Sequence, residues 1–112
     1  MVISTAGSMK EARSIAKTMV EKRLAACVNV LPGVVSHFMW EGKMNRAKEV
    51  MMFMKTSGRQ VPKLCREIRR IHSYSVPEIL YFRINGGDRE YLQWVHQSTL
   101  QIQGPKGKKL LT

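Results

Sequence analysis

Two stretches of the chain show the apolar spacing of amphipathic helices. After Ser8, which precedes Glu11 at the spacing of a capping box, apolar residues recur every three or four positions with charged residues between them. This pattern predicts a helix over residues 8–24. The same features follow Ser57, where a second apolar stripe predicts a helix over residues 58–71.

Four other segments are rich in β-branched and aromatic residues and predict strands. They span residues 1–5, 25–40, 49–56 and 78–84. A short polar turn, residues 41–46, separates the second and third strands, which therefore form a long antiparallel hairpin. Pro32 and Gly33 predict a bulge or bend in the first of these strands. The near-continuous apolar run of the second predicts burial on both of its faces.

The order of the elements predicts an α+β fold of the ferredoxin-like βαββαβ type with an additional C-terminal helix. Asp88 is the predicted N-cap of that helix, which covers residues 88–101. In this fold, two helices cover one face of a four-stranded antiparallel sheet. The apolar residues of the hairpin exceed what one helical layer can bury, which predicts a homo-oligomer packed sheet against sheet. Residues 1–103 are assigned to this single domain and residues 104–112 to a basic flexible tail.

The composition limits the class of protein less than the pattern does. The chain has 112 residues, enough for one domain, and 19 basic against 8 acidic residues give a net charge of +11. No segment has the length of a membrane span or the blocks of a signal peptide. Cys27 and Cys65 lie among apolar neighbours, which favours small buried thiols over a disulfide or a ligand pair. These features predict a cytoplasmic protein, with a trimmed organellar or secretory precursor segment left open.

The excess of basic charge fits a nucleic acid, an acidic membrane surface or an acidic protein partner. RNA-binding domains share the βαββαβ order, and the second helix carries a basic stripe of Arg59, Lys63, Arg66 and Arg70. Those domains also carry a glycine and alternating aromatic residues on a central strand, a pattern that EVMMFMKT lacks. Nucleic-acid binding is therefore disfavoured, whereas an acidic protein partner stays open.

Four blocks of the sequence follow the order and spacing of one known family. They are EKRLAACVNVLPGVVSHFMWEGK (21–43), EVMMFMKTS (49–57), HSYSVPEI (72–79) and YLQWV (91–95). These blocks closely resemble the CutA family of divalent-cation-tolerance proteins. The block YLQWV is most similar to the corresponding residues of animal members. The resemblance implies a ferredoxin-like homotrimer, divalent-cation tolerance with copper binding in some members, and, in mammals, a link to acetylcholinesterase anchoring. No catalytic motif is present, so we predict a protein that is not an enzyme and requires no cofactor.

The resemblance implies candidate metal ligands between the second helix and the last strand. His72 and Glu78 match the family signature, and an imidazole with a carboxylate suits Cu(II) or another divalent cation. However, Ser75 stands where the family usually has an acid, and Ser4 stands where some members have a Cys ligand. Basic residues also replace acids in the hairpin turn, over residues 44–48. We therefore expect divalent-cation binding to be weakened in this chain.

A structural role is the alternative interpretation of this connection. In that interpretation His72 and Tyr74 close the helix-to-strand connection at a subunit interface, and Pro77 keeps the preceding residue out of helical space. Four further residues are assigned to an interface cleft or to structural packing: Trp40, Lys55, Tyr91 and Trp94.

Overall fold

The chain folds into a four-stranded antiparallel sheet with two helices packed on one face. A computed structural model describes residues 1–100, with these elements in chain order: β1 (Val2–Ala6), α1 (Met9–Glu21), β2 (Cys27–Trp40), β3 (Lys43–Lys55), a 3-10 turn (Gly58–Gln60), α2 (Val61–Ile71), β4 (Ile79–Tyr81) and α3 (Arg89–Ser98). The strand order is β2-β3-β1-β4, and each neighbouring pair is antiparallel. The predicted α+β order, βαββαβ with an appended helix, is confirmed. The predicted basic tail, residues 104–112, lies outside the described residues.

The hairpin of β2 and β3 is longer than predicted. Its turn consists of Glu41 and Gly42 alone, whose positive φ values of 51° and 77° are typical of two-residue turns that follow the twist of the strands. The predicted turn over residues 41–46 is therefore wrong, because residues 43–46 already pair with β2.

The predicted bulge in β2 is confirmed. The register of the ladder shifts between Leu31 and Val34, where Gly33 adopts a φ of 84° that favours glycine. Beyond the bulge the two strands continue as a projecting segment, residues 34–49, which we call the hairpin arm. Several large apolar side chains of the arm are exposed: Val35, Phe38, Met39, Trp40 and Met44.

The first helix ends three residues earlier than predicted. Arg23 adopts a left-handed φ of 58°, and the N–H groups of Arg23 and Leu24 donate to the carbonyls of Val20 and Met19 at 3.0 and 2.9 Å. This hydrogen-bond pattern is a Schellman cap, which reverses the chain after Glu21. The apolar spacing continued through Leu24 because that side chain is buried in the same core, although its backbone is no longer helical.

The last strand and the last helix are also shorter than predicted. The predicted strand 78–84 pairs with β1 only over Ile79–Tyr81. The last helix begins after Asp88, whose carboxylate accepts the Tyr91 N–H at 3.0 Å, so the predicted N-cap is confirmed. That helix ends at Ser98.

The two predicted capping boxes have different outcomes. At the first helix the Ser8 hydroxyl accepts the Glu11 N–H at 3.2 Å, as expected for half of the motif. At the second, Ser57 makes no side-chain cap and its Oγ lies 2.9 Å from Thr99 Oγ1, while Gln60 Nε2 donates to the Thr99 carbonyl at 2.5 Å. The second capping box is therefore wrong, and its side chains tie the end of α3 to the start of α2.

The hydrophobic core lies between the sheet and helices α1 and α2. Its buried residues are Val2, Ala6, Ala12, Ile15, Met19, Leu24, Ala25, Val50, Met52, Met54, Leu64 and Ile68. Alternate residues of β3 point into this core, whereas Met51 and Phe53 on the other face are only half-buried. Burial of β3 on both faces is thus wrong for the single chain.

The sheet face opposite α1 and α2, which we call the open face, carries an apolar surface. The strand registers place Asn29, Phe53, Ile3 and Leu80 side by side in one row. Leu31 and Leu80 remain 53% and 57% exposed on this face. The predicted apolar patch on the uncovered side of the sheet is therefore present in the single chain.

The cysteines and helices bear on two further predictions. Cys27 and Cys65 are free thiols, so the absence of a disulfide between them is confirmed. Both are half-buried, so the thiols are less buried than predicted. Within residues 1–100, no helix combines the length and the hydropathy that a membrane crossing requires.

Candidate functional site

The connection between α2 and β4, residues 72–78, is called the corner. The His72 side chain is fully buried there, with Nε2 2.7 Å from the Thr5 carbonyl oxygen and Nδ1 accepting the Tyr74 N–H at 3.0 Å. Because Nδ1 acts as an acceptor, Nε2 carries the proton and donates to Thr5. Thr5 lies one position beyond the three β1 residues that pair with β4, so the imidazole extends that edge of the sheet.

This arrangement decides what His72 can do within one chain. Both ring nitrogens are already hydrogen-bonded, so the imidazole has no uncommitted lone pair to offer a metal ion. Of the two interpretations of His72, the geometry favours the structural one.

A carboxylate from α1 anchors the residue after His72. Glu11 accepts the Ser73 backbone N–H at 2.8 Å through Oε2 and the Ser73 hydroxyl at 2.9 Å through Oε1. Burial opposes ionisation of this carboxyl, but the two hydrogen bonds from Ser73, with smaller contributions from His72 and the Gly7 amide, outweigh it and lower the pKa of Glu11. An ionised Glu11 therefore holds the corner against the start of α1.

A second carboxylate, from β3, anchors Tyr74. The Tyr74 hydroxyl donates to Glu49 Oε2 at 3.0 Å, and its ring packs on His72 with centroids 4.7 Å apart. Burial first, and then the hydrogen bond to Glu49, raise the pKa of Tyr74 to about 12. A Cβ atom at Gly7 would lie 3.1 Å from the Tyr74 hydroxyl, so the absence of a side chain there makes room for this contact.

The remaining candidate ligands do not converge. Pro77 is buried, whereas Glu78 is exposed and makes no hydrogen bond within residues 1–100. Ser4 has a buried hydroxyl that finds no hydrogen-bond partner in the described part of the chain, and a neutral hydroxyl is a poor ligand for Cu(II) or Zn(II). Among the residues that the structure describes, no three His, Cys, Asp or Glu side chains lie close enough together to hold a metal ion. The donor set of the single chain therefore does not fit a tight divalent-cation site.

A separate groove of about 1090 Å³ lies beside β4 and α3. Its walls are largely apolar and aromatic, with cationic side chains among them; they include Lys55, Tyr81, Phe82, Arg83, Tyr91 and Leu92. Mixed walls of this kind, with few polar groups, are typical of binding sites.

Lys55 and Tyr91 link the groove to the open face. Lys55 Nζ lies 3.9 Å from Cys27 Sγ at the end of the β2–β3 ladder. Burial, and then the neighbouring Cys27, raise the pKa of Tyr91. Trp94 is half-buried and packs against Tyr91 with the ring centroids 5.6 Å apart and the ring planes tilted by 41°. Trp40, by contrast, is 51% exposed at the end of the hairpin arm and is not part of the groove wall.

The predicted site residues therefore lie in the corner, along the groove and on the hairpin arm, with Trp94 beside the groove against Tyr91. Sequence reasoning missed Glu11 and Glu49, the two carboxylates that hold the corner. Glu11 carried a signal, because its capping position placed it at the start of α1, but its partner Ser73 is 62 residues away. Glu49 carried none, since its contact with Tyr74 depends on how β3 passes the corner.

Taken together, these features define a class: a ferredoxin-like α+β protein with a long hairpin arm, an open sheet face and a corner closed by a buried histidine. The chain belongs to the CutA1 family, described as CutA1 divalent ion tolerance protein, which matches residues 1–98. It is 42% identical over 99 residues to the divalent-cation tolerance protein CutA of Thermus thermophilus, covering 88% of this chain and 96% of that protein. It is 43% identical over 98 residues to the human protein CutA, covering 88% of this chain.

A solved structure supports the same relationship. The divalent cation tolerance protein of Thermus thermophilus superimposes with a TM-score of 0.86 at 43% identity, covering 88% of this chain and 95% of the other. The matched region is only 55% of the human protein, so the chain spans little more than half the length of that relative.

Proposed function

We propose that this chain is a homotrimeric divalent-cation-tolerance protein whose subunit-interface cleft binds Cu(II) or another divalent cation weakly. The observation that carries the proposal is the open face, an apolar surface on a chain of the CutA1 family. The non-catalytic role and the cytoplasmic location remain predictions from the sequence.

Two features support assembly through the sheet. The open face exposes Leu31 and Leu80, and the hairpin arm exposes Phe38 and Trp40 well beyond the core. Exposing aromatic and aliphatic side chains of this size to water costs free energy, and burial against further copies removes that cost. The short edge strand β4 beside the groove also offers unpaired backbone groups to a neighbouring chain.

The cation part of the proposal requires donors from more than one subunit. Within one chain His72 is committed to hydrogen bonds and Ser4 is neutral, so Glu78 is the candidate left with an uncommitted carboxylate. One carboxylate is too few for a tight transition-metal site. We therefore propose that a neighbouring subunit completes the cleft, and that affinity is low.

Light scattering tests the assembly. The purified protein is expected to have the mass of three chains at micromolar concentration. A stable monomer or dimer across a tenfold dilution series would contradict the trimer.

Calorimetric titration with CuCl₂ tests the cation site. We expect weak binding that Glu78→Gln reduces, while His72→Gln lowers stability without changing affinity, and His37→Gln on the hairpin arm serves as the control. No heat of binding to the unmodified protein would overturn the cation proposal. Loss of binding in His72→Gln at unchanged stability would make His72 a ligand and overturn its structural assignment.

A further inference from the structure

A second concave surface lies on the helical side of the molecule, away from the open face. We call it the basic groove: a depression of about 580 Å³ walled by Lys22, Lys63, Arg66 and Arg70, with Glu67 and Leu24 at its base. It therefore lies outside the corner, the groove beside β4 and the surface through which we propose assembly.

Only part of this positive charge is compensated within the chain. Glu67 accepts from Arg70 at 2.6 Å and 3.0 Å, in a bidentate arrangement, and also pairs with Lys22. Lys63 and Arg66 make no hydrogen bond or ion pair within residues 1–100, and both are exposed. The basic groove therefore keeps an excess of cations around one carboxylate.

The fold gives no reason for the positions of Lys63 and Arg66. Arg69 and Arg70 in the last turn of α2 interact favourably with the helix dipole, but Lys63 lies in the first turn, where a cation is unfavourable and no acid is present. Lys63, Arg66 and Arg70 also follow one another at spacings of three and four residues, which places like charges next to each other on one helix face. Glu67 compensates Arg70, whereas Lys63 and Arg66 add charge that opposes helix stability and has no partner within residues 1–100, an arrangement expected at a binding surface.

We propose that the basic groove docks a short acidic protein segment with two or more carboxylates. Glu67 already shows how these side chains hold a carboxylate, through the two-pronged contact of Arg70. Arg66 offers the same fork of donors one turn away to a carboxylate supplied by a partner, and Lys63, a turn further on, adds a second cation as a point charge.

The dimensions and the charge favour a peptide over a nucleic acid. Seven residues separate Lys63 from Arg70, a rise of about 10 Å along the helix, which matches a few side chains rather than a phosphate track. The buried apolar Leu24, which lies beside Glu67 at the base of the groove, also favours a protein ligand over a sugar-phosphate backbone.

Fluorescence anisotropy with a labelled hexaglutamate peptide at low ionic strength tests this docking surface in the full chain. The test variant is Lys63→Glu with Arg66→Glu, and the matched control is Lys10→Glu with Arg13→Glu, which reverses as many exposed charges near the start of α1. Lys63→Gln with Arg66→Gln provides a second, uncharged variant that adds no acidic group. Hexaglutamine and a six-nucleotide oligothymidylate are the comparison probes, and urea unfolding verifies that each variant is folded.

We expect the groove reversal to weaken hexaglutamate binding by about tenfold or more, the glutamine variant to have a smaller effect, and the control to change it by less than about threefold. Equal losses in both reversed variants would show attraction to net charge alone and overturn the proposal. Tighter binding of the oligothymidylate through the same residues would assign the surface to nucleic acid instead. Failure of the unmodified protein to bind hexaglutamate would also overturn it.

Discussion

At the scale of single residues, Tyr74 and Gly7 are coupled by one close contact. The Tyr74 hydroxyl reaches Glu49 across the space that a side chain at Gly7 would enter. The absence of a side chain at Gly7 therefore allows the hydrogen bond between Tyr74 and Glu49, where the corner meets β1 and β3.

We expect Tyr74→Phe to lower the free energy of unfolding by about 1 kcal/mol, because it leaves the half-buried Glu49 carboxylate without this donor. Urea denaturation measures the loss, and Tyr81→Phe, at an exposed tyrosine without such a bond, is the control. Gly7→Ala is expected to destabilise the unmodified protein and to cost less in the Tyr74→Phe background. Equal costs in both backgrounds would contradict the coupling.

Ser4 provides a second test at this scale. Its hydroxyl is buried and has no hydrogen-bond partner among residues 1–100, so Ser4→Ala removes a polar group whose desolvation is not offset by a hydrogen bond. We expect the free energy of unfolding to rise by up to about 1 kcal/mol in urea denaturation. A clear loss of stability would show that the hydroxyl has a partner in solution.

At the scale of elements, the two helices are held together by charges as well as by the core. Glu67 of α2 pairs with Lys22 just beyond the end of α1, and Glu11 of α1 binds Ser73 just beyond the end of α2. The two helices are therefore joined near the start of α1 and just beyond its end by carboxylates that must be ionised.

Acid should weaken this connection. Hydrogen bonds from Arg70 and then Lys22 lower the pKa of Glu67 to about 2, below its ordinary value of about 4.3. A depressed pKa contributes stability that is fully present above the unfolded value and is lost as the pH falls from about 4 to about 2. Urea denaturation between pH 6 and 2 should show a shallower acid loss in Glu67→Gln, whereas Glu21→Gln, at an exposed carboxylate, should retain the loss of the unmodified protein. Parallel curves for the two variants would contradict this assignment.

Replacing arginine by glycine is expected to have opposite effects on stability at the C-terminal cap of α1 and inside that helix. Arg23 holds a left-handed φ of 58°, which costs an L-residue about 1 kcal/mol. Arg23→Gly relieves that cost and is partly offset by the greater freedom of glycine in the unfolded chain, for a net gain of about 0.5 kcal/mol. Arg13→Gly, in the same helix, should lose about 1 kcal/mol. Thermal unfolding of both variants checks the sign, and destabilisation in both would contradict the capping argument.

At the scale of the whole molecule, the apolar surface divides into a part that the chain buries itself and a part that it leaves open. The core between the helices and the sheet is closed, whereas the open face and the hairpin arm keep large side chains in water. This division underlies the proposed trimer.

We expect Leu31→Asp to dissociate the assembly, because Leu31 is 53% exposed on the open face of the single chain and a charge there cannot be buried against a neighbour. Val20→Asp, at an exposed residue on α1 outside the open face, is the matched control and should leave the mass unchanged. Light scattering measures both. An unchanged mass for Leu31→Asp would exclude this part of the open face from the interface.

Much of the architecture could be predicted because it depends on local pattern. The spacing of apolar residues located both core helices, Pro32 and Gly33 located the bulge, and Asp88 located the last N-cap. Boundaries were less certain, since Leu24 satisfies the helical spacing while its backbone has already left the helix. The predicted hairpin turn was too long, because residues 43–46 are largely polar and their pattern indicates a loop. Their pairing with β2 is visible only in the tertiary structure.

The candidate site depended on contacts that no local pattern contains. The sequence by itself determined the family, the order of the elements and the residues of the corner, because these follow from motifs and short-range spacing. Only the tertiary structure decided that both ring nitrogens of His72 are hydrogen-bonded to backbone groups, and that Glu11 and Glu49 hold the residues after it. It also decided that Lys63 and Arg66 have no partner within residues 1–100. The physical reason is that hydrogen bonding and charge compensation are made between groups distant in sequence, so the chemistry available to a side chain is fixed only once the chain has folded.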